Sequence, residues 1–155
     1  MPWNKKINWL FPLASAALAI VSIAVPVAFS PKTGGKGIMF WYWALNVDTR
    51  DGDVFYNTDE IAMAGAVLET AVLAIAAILM AWTSVTMKKG IQSKMVPILL
   101  LVSAILLVAS PVGYIIGAEV YRSGFWLDNY GLFGMYGPFI AAGLAVVCMY
   151  LVKMN

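Results

Sequence analysis

Glu69 is the one ionisable residue that lies deep inside a predicted membrane span. It follows the start of the second apolar segment by about nine residues, which predicts a position near the bilayer midplane at a rise of about 1.5 Å per residue. A carboxylate at that depth suggests a functional site, because burying it in lipid is costly. It could bind a proton or cation, or it could hydrogen-bond to Thr70, Tyr114 or a serine and tie helices together. Because no second acid, basic partner or histidine is available for a relay, the sequence favours the structural role.

Two other features could carry chemistry. The segment from Asp48 to Asp53 has a superficial likeness to a calcium-binding loop, but the third position, which should be acidic, is Arg50. We interpret this segment as a solvated turn. Histidine is absent and cysteine occurs once, as Cys148 in a predicted span, where it fits as a small apolar filler. These counts exclude a His–Cys metal cluster, a Ser/His/Asp triad and an internal disulfide.

The composition indicates a membrane protein. Of the 155 residues, 62% are hydrophobic and 12% are charged, whereas soluble domains are roughly a quarter charged. The net charge of +2 is too small to indicate a nucleic-acid partner. We expect one membrane domain with no cofactor and no enzymatic activity. An integral enzyme acting on lipids or quinones has the least support, because general acid–base groups are scarce.

Four apolar segments are long enough to cross a bilayer, which takes about 20 residues. They predict an all-α membrane protein, a four-helix bundle with a small extracellular β-hairpin or sheet. Pro26 should bend or end the first helix, and Thr58 or Asp59 should cap the second. The predicted helices are 7–29, 60–87, 95–118 and 132–152, with outer loops at 30–59 and 119–131.

The charges differ between the two sides of this layout. One side carries lysines and no acid, whereas the other carries a mixture of basic and acidic residues. Because basic residues concentrate in cytoplasmic loops, both termini are predicted to lie in the cytoplasm of a cell-membrane protein. The lysines of the basic side are Lys5, Lys6, Lys88, Lys89, Lys94 and Lys153.

The first outer loop is unusually aromatic. Residues 38–47 are predicted to form a strand with apolar side chains on both faces, and Asp51-Gly52 to form a hairpin turn before a returning strand at 53–56. An amphipathic interfacial helix is the alternative. Such a strand can turn only one face onto its own bundle, so we expect the other to bind a partner, unless Trp41 and Trp43 form a belt at the lipid headgroups. The predicted partner-binding residues are Phe40, Trp41, Tyr42, Trp43, Phe55, Tyr56, Phe125 and Trp126.

Small residues recur along the spans at intervals of three or four. Gly113 and Gly117, in the third span, form a pattern that allows two helix backbones to approach closely. Packing within one bundle explains this pattern at least as well as dimerisation does.

This layout resembles the claudin and peripheral myelin protein superfamily of tetraspans. The segment from Gly131 to Pro138 is similar to the start of that family's fourth helix, and Trp41 and Trp43 are similar to tryptophans of its first-loop signature. The family's Gly-Leu-Trp triplet and its pair of loop cysteines are absent from this chain. The resemblance implies a left-handed four-helix bundle with a small extracellular sheet, used to bind other membrane proteins.

The function expected from these features is that of an accessory or assembly subunit. Its aromatic loop would bind other integral membrane proteins in a larger complex, and lipids would surround the helices. The alternative is a small transporter or channel that uses Glu69 as an intramembrane proton or cation site.

Overall fold

The chain folds mostly as helices, with a small sheet at one end. The computed structural model describes residues 7–57, 59–91 and 94–153. The predicted cap Thr58 and the lysines Lys5 and Lys6 lie outside the described residues. In chain order the helices are α1 (Leu10–Ala24), α2 (Glu60–Lys88), α3 (Met95–Tyr121), the short α4 (Phe125–Asp128) and α5 (Phe133–Lys153).

Within the described residues, three helices are long and apolar enough to cross a membrane, namely α2, α3 and α5. Their bounds agree with the predicted spans to within about three residues. Helix α1 does not: it has 15 residues, a length of about 22 Å, and ends at Ala24 instead of continuing to residue 29. Pro26 is the physical reason, because a proline cannot donate the backbone hydrogen bond that would continue the helix. The residues after it form a strand.

Helices α1, α2, α3 and α5 pack in a ring, in which α1 and α3 each contact α2 and α5. Their interface is built from small side chains, so the backbones approach closely. Ala19, Ala76 and Ala141 are fully buried there, and the Ser15 hydroxyl donates a hydrogen bond of 2.7 Å to the Ala141 carbonyl oxygen. Gly134 and Gly137 also lie against α1 and the residues after it, at positions where a Cβ would meet neighbouring atoms.

Five antiparallel strands form one sheet, in the order β4-β3-β2-β1-β5. The sheet covers the end of the ring where α1 and α3 finish and where α2 and α5 begin. Its two outermost strands are short, and β5 comes from the connection between α3 and α5. The strands are β1 (Ala28–Pro31), β2 (Gly37–Phe40), β3 (Leu45–Asp48), β4 (Val54–Tyr56) and β5 (Tyr130–Gly131).

The predicted single strand at 38–47 is wrong. The chain reverses within it, so that β2 and β3 are two strands of a hairpin joined by residues 41–44. The Trp41 amide donates to the Leu45 carbonyl oxygen, and the Ala44 amide donates to that of Trp41. Ala44 has a φ of +63°, the left-handed conformation that is typical of the last residue of a short hairpin connection. The predicted turn at Asp51-Gly52 is confirmed between β3 and β4, with Gly52 at a φ of +77°.

The two ends of the helix ring differ in charge. Lys88 lies over the ring of Trp9, 4.8 Å from its centroid, at the end opposite the sheet, and Lys89 and Lys94 flank the connection between α2 and α3 at that same end. The acidic residues described by the structure lie toward the other end. Among them Asp59 caps α2, as predicted, because its carboxylate accepts hydrogen bonds from the amides of Ile61 and Ala62.

Candidate functional site

Four of the eight predicted partner-binding residues lie in a cluster of aromatic rings between the sheet and the helices. Phe40 contacts Phe125 edge to face at 5.6 Å between ring centroids, and Phe125 contacts Trp126 at 4.9 Å. Tyr114 of α3 contacts both Trp126, at 6.2 Å, and Tyr42, at 5.2 Å. We call these five residues the inner aromatic cluster. Because they cover one another, they join the sheet to α3 and α4 and present little area to a partner.

Tyr42 is the most enclosed member of this cluster. Its side chain is 0% exposed, and its hydroxyl has no hydrogen-bond partner among the described residues. Burial raises the pKa of the Tyr42 phenol well above its ordinary value, and the nearby Tyr114 and Glu69 raise it further. The phenol therefore stays neutral at physiological pH. The Tyr42 ring packs the 41–44 turn against Tyr114 of α3, which is a structural role.

Trp41 and Trp43 hold the end of helix α1. The last carbonyl groups of a helix have no partner within the helix, and here two of them accept hydrogen bonds from the indoles. The Trp41 Nε1–H donates to the Ala24 carbonyl oxygen at 3.0 Å, and the Trp43 Nε1–H donates to that of Ile23 at 3.2 Å. Trp126 makes the same kind of bond to the Ile115 carbonyl oxygen of α3, at 3.0 Å. Tryptophan nitrogens thus link the outer loops to both helices.

Of the remaining predicted residues, Trp41 is half-buried and the other three are exposed. Phe55 and Tyr56 lie on β4, all of whose side chains are open to the outside, and Trp43 is partly exposed. These residues do not join the inner aromatic cluster. The structure therefore divides the predicted set into a buried part that builds the fold and an exposed part available to another molecule.

Cross-strand pairing shows that Tyr56 belongs to a larger exposed surface. Residues directly opposite each other on paired strands point to the same side of the sheet. Tyr130 pairs with Phe29, Phe29 with Met39, Met39 with Val47 and Val47 with Val54, so one apolar row crosses all five strands. Leu45 and Tyr56 form a further pair on the same side. We call this surface the outer sheet face; its residues are Phe29, Met39, Leu45, Val47, Val54, Tyr56 and Tyr130.

The opposite row lies toward the helices. It runs from Gly131 through Ala28, Phe40 and Asn46 to Phe55. Ala28 and Asn46 are buried, and Phe40 reaches Phe125. Only Phe55, at the edge, remains open. This inner row is covered by the protein itself, whereas the outer sheet face becomes more exposed from β3 to β4, where Val54 is 61% and Tyr56 57% exposed.

Most residues of the outer sheet face were not among the predicted binding residues. Phe29 was assigned to the first helix, Met39 and Leu45 to an uninterrupted strand, and Tyr130 to a loop. The row emerges only when β1 and β5 are paired across about a hundred residues of sequence. Phe55-Tyr56 carried the one local signal, two adjacent aromatic residues on a strand after an Asp-Gly turn.

Glu69 lies near the sheet end of the helices. Its carboxylate rests on Gly113, where a Cβ would collide with it, and the Ser110 hydroxyl donates to the Glu69 carbonyl oxygen at 3.3 Å. Gly113 is next to Tyr114, which contacts Tyr42 of the loop. Glu69 is the tenth of the 29 residues of α2. This helix is about 43 Å long, longer than the roughly 30 Å of a bilayer core. Glu69 therefore lies on the sheet side of the midpoint of α2, and its depth relative to a bilayer midplane stays a prediction.

The Asp48–Asp53 segment is a closed turn. The Asp48 carboxylate accepts hydrogen bonds from the Arg50 amide, Nε and Nη2, the last at 2.6 Å. These bonds lower the pKa of Asp48 to about 2. Within the described residues no group of three or more His, Cys, Asp or Glu side chains is placed to hold a metal ion. Both oxygens of the Asp48 carboxylate are hydrogen-bonded to Arg50, in agreement with the interpretation of this segment as a turn.

Comparisons with known proteins add no family to this description. A scan against protein-family models finds no match, and a search of curated proteins finds none either.

Proposed function

We propose that the chain is a four-helix membrane protein that binds another integral membrane protein through its outer sheet face, as an accessory or assembly subunit. In this arrangement α1, α2, α3 and α5 cross the cell membrane, both termini lie in the cytoplasm and the sheet lies outside. The lysines at the end opposite the sheet support this orientation. The tetraspan resemblance supports the same arrangement.

The apolar row across all five strands is the observation that carries the proposal. The inner row of the same sheet is covered by α4 and the long helices, so the sheet is already anchored on one side. The described residues supply no comparable cover for Val54, Tyr56 and Tyr130, all of which are exposed. Exposed apolar surface that is continuous across several elements marks interaction sites.

The free edge of β4 favours a protein over lipid as the occupant. Strand β4 pairs with β3 on one side only, so its other backbone groups face outward. An edge strand binds another polypeptide by adding it to the sheet, which satisfies those groups. Lipid chains cannot donate or accept these hydrogen bonds. Tyrosine beside such an edge is also a residue type common among interface hot spots.

The test is to disrupt the outer sheet face without touching the inner aromatic cluster. Val54→Lys and Tyr56→Lys place charges on exposed positions of β4, whereas Asp51→Lys places the same charge in the neighbouring turn, off that face. Proteins that co-purify from native membranes in mild detergent would be quantified for each variant. We expect the two β4 variants to lose the partner by tenfold or more, and the Asp51 variant to retain it.

Photo-crosslinking gives the direct measurement. A photoreactive side chain at Val54 should crosslink to an integral membrane protein, and one at Asp51 should give much less product. Equal co-purification in all three lysine variants, with crosslinks spread evenly, would show that the outer sheet face is not the binding surface.

Orientation is tested separately by labelling single cysteines in a Cys148→Ser background. Cysteine at Lys89 should be protected from a membrane-impermeant reagent in intact cells, and cysteine at Arg50 or Asp128 should react. Labelling at Lys89 from outside would overturn the proposed arrangement.

A further inference from the structure

A groove lies between the sheet and α4. It has a volume of about 650 Å³ and opens to the outside of the protein. Lys32, Arg122 and Asp128 line it, together with apolar walls from Phe40 and Leu127. This volume is within the range of about 300–1,000 Å³ that is usual for small-molecule sites. Its lining also includes Phe40 of the inner aromatic cluster and Tyr130 of the outer sheet face, whereas its charged residues belong to neither set.

The charges in the groove are only loosely paired. Arg122 Nη2 and Asp128 Oδ2 are 3.6 Å apart and both side chains are mostly exposed. A charge-assisted hydrogen bond would be about 2.7–2.9 Å, so this pair leaves both groups able to bind something else. Lys32 adds a second positive charge from β1's end. The groove therefore offers two cations for an anionic group and one carboxylate for a cationic group.

Exposed apolar side chains lie beside the groove. The Trp126 indole donates a hydrogen bond to the Ile115 carbonyl oxygen, six residues and about 9 Å before the end of α3 at Tyr121, so this side chain reaches back along that helix. Leu127 of α4 and Val120, near the end of α3, are exposed at 89% and 81%. In a membrane these side chains would meet acyl chains while Arg122 and Asp128 remain at the level of the headgroups.

We propose that this groove binds a phospholipid of the outer leaflet whose headgroup carries a phosphate diester and a primary ammonium, the phosphatidylethanolamine class. Arg122 and Lys32 bind the phosphate, Asp128 accepts hydrogen bonds from the ammonium, and the acyl chains run past Leu127 along α3. The inference rests on the membrane location proposed above. A headgroup with only negative charge is repelled by Asp128, and a trimethylammonium group has no N–H to donate to it.

Native mass spectrometry of the full chain in detergent tests the proposal. The delipidated protein is titrated with phosphatidylethanolamine, phosphatidylglycerol and phosphatidylcholine of identical acyl chains. We expect the ethanolamine lipid to bind at least tenfold more tightly than the other two. Arg122→Gln should lower binding of all three lipids, by about tenfold for the ethanolamine lipid.

Asp128→Asn separates headgroup selection from general binding. This variant should bind the ethanolamine lipid no better than the choline lipid, while binding of phosphatidylglycerol is unchanged or stronger. Lys36→Gln, which removes an exposed outer lysine that does not line the groove, is the matched control and should behave as the unaltered chain. Near-ultraviolet circular dichroism checks that each variant keeps its aromatic packing.

Three results would overturn the proposal. These are equal binding of the three lipids, unchanged binding in both Arg122→Gln and Asp128→Asn, or an effect of Lys36→Gln as large as theirs. Soluble phosphoethanolamine binding as tightly as the lipid would also overturn it, in favour of a free headgroup ligand. Alkaline extraction of membranes distinguishes this failure from failure of the proposed location: a chain that stays in the pellet but binds no lipid fails only the lipid inference.

Discussion

Two turns of the five-stranded sheet keep their shapes through different kinds of contact. Residues 49–53 join β3 to β4 and use local chemistry: Asp48 binds Arg50, and Gly52 takes the left-handed conformation at a φ of +77°. Residues 41–44 join β2 to β3 with no glycine, proline, asparagine or aspartate. There Ala44 has a φ of +63°, a conformation that costs a residue with a Cβ about 1–2 kcal/mol.

Contacts with the helices offset that cost. Tyr42 is buried against Tyr114, and the indoles of Trp41 and Trp43 donate hydrogen bonds to the last carbonyl groups of α1. The 41–44 turn is therefore a docking element whose shape is imposed by tertiary structure. The 49–53 turn, by contrast, should keep its shape with little help from the helices. Substitutions in the two turns should consequently differ in size and in kind.

The largest effect is expected at Tyr42. Tyr42→Ala removes a fully buried ring and should lower the free energy of unfolding by about 3–5 kcal/mol. Tyr42→Phe keeps the ring and removes a hydroxyl that has no partner among the described residues, so it should change stability by less than about 1 kcal/mol. Unfolding in detergent at rising denaturant concentration measures both. A large loss in the Phe variant would mean that the hydroxyl has a bonded partner, such as the Glu69 carboxylate.

A smaller effect is expected at the indole nitrogens. Trp41→Phe keeps an aromatic ring and removes the donor to the Ala24 carbonyl oxygen, so stability should fall by about 1 kcal/mol. Trp43→Phe removes a longer bond from a more exposed side chain and should cost less. Amide hydrogen exchange at the end of α1 should rise in the Trp41 variant. Unchanged exchange there would show that the indole does not hold this helix end.

The two left-handed residues give a reciprocal pair. Ala44→Gly relieves the strain at a φ of +63° and should raise stability by about 0.5–1 kcal/mol. Gly52→Ala introduces the same strain at +77° and should lower stability by about 1 kcal/mol, because no neighbouring atom lies within 4 Å to compensate. Thermal unfolding of both variants measures the pair. If Ala44→Gly destabilises the protein, the turn is less strained than its backbone angle indicates.

This contrast explains which parts of the fold the sequence could predict. The Asp51-Gly52 turn and the Asp59 cap follow from residues within a few positions of each other, and both are present. Pro26 was expected to bend or end the first helix, but the predicted bound at residue 29 lies five residues beyond the end at Ala24. The two strands of the hairpin inside 38–47 depend on contacts between distant segments. Local periodicity could not show them, since Trp41, Tyr42 and Trp43 suit a strand equally well.

The same limit applies to the candidate site. The sequence identified an aromatic loop that needs cover, but half of its predicted residues cover one another. Tyr130 joins the outer sheet face because β5 pairs with β1, which no local pattern indicates. The proposed binding surface is thus a product of strand order, and Tyr56 is its one member among the predicted partner-binding residues.

The smallest effect on stability in the ordinary pH range is expected in the 49–53 turn. Asp48 has a folded-state pKa of about 2, chiefly because the Arg50 side chain donates hydrogen bonds to it, whereas an unpaired aspartate titrates near 3.9. A lowered folded-state pKa contributes stability that is fully present above the unfolded value and is lost as the pH falls toward 2. Between pH 5 and 8 the contribution should therefore be constant.

The stabilising contribution of Asp48 arises within one turn. Arg50→Gln should therefore raise the pKa of Asp48 and shift the loss of turn structure to a higher pH. At the same time it should leave the Tyr42 contacts intact. Carboxyl chemical shifts of Asp48 across pH 2–6, with near-ultraviolet circular dichroism for the aromatic cluster, measure the two regions separately. If Arg50→Gln also disturbed the aromatic signal at pH 7, the 49–53 turn would not be independent of the docked turn, and the contrast between them would fail.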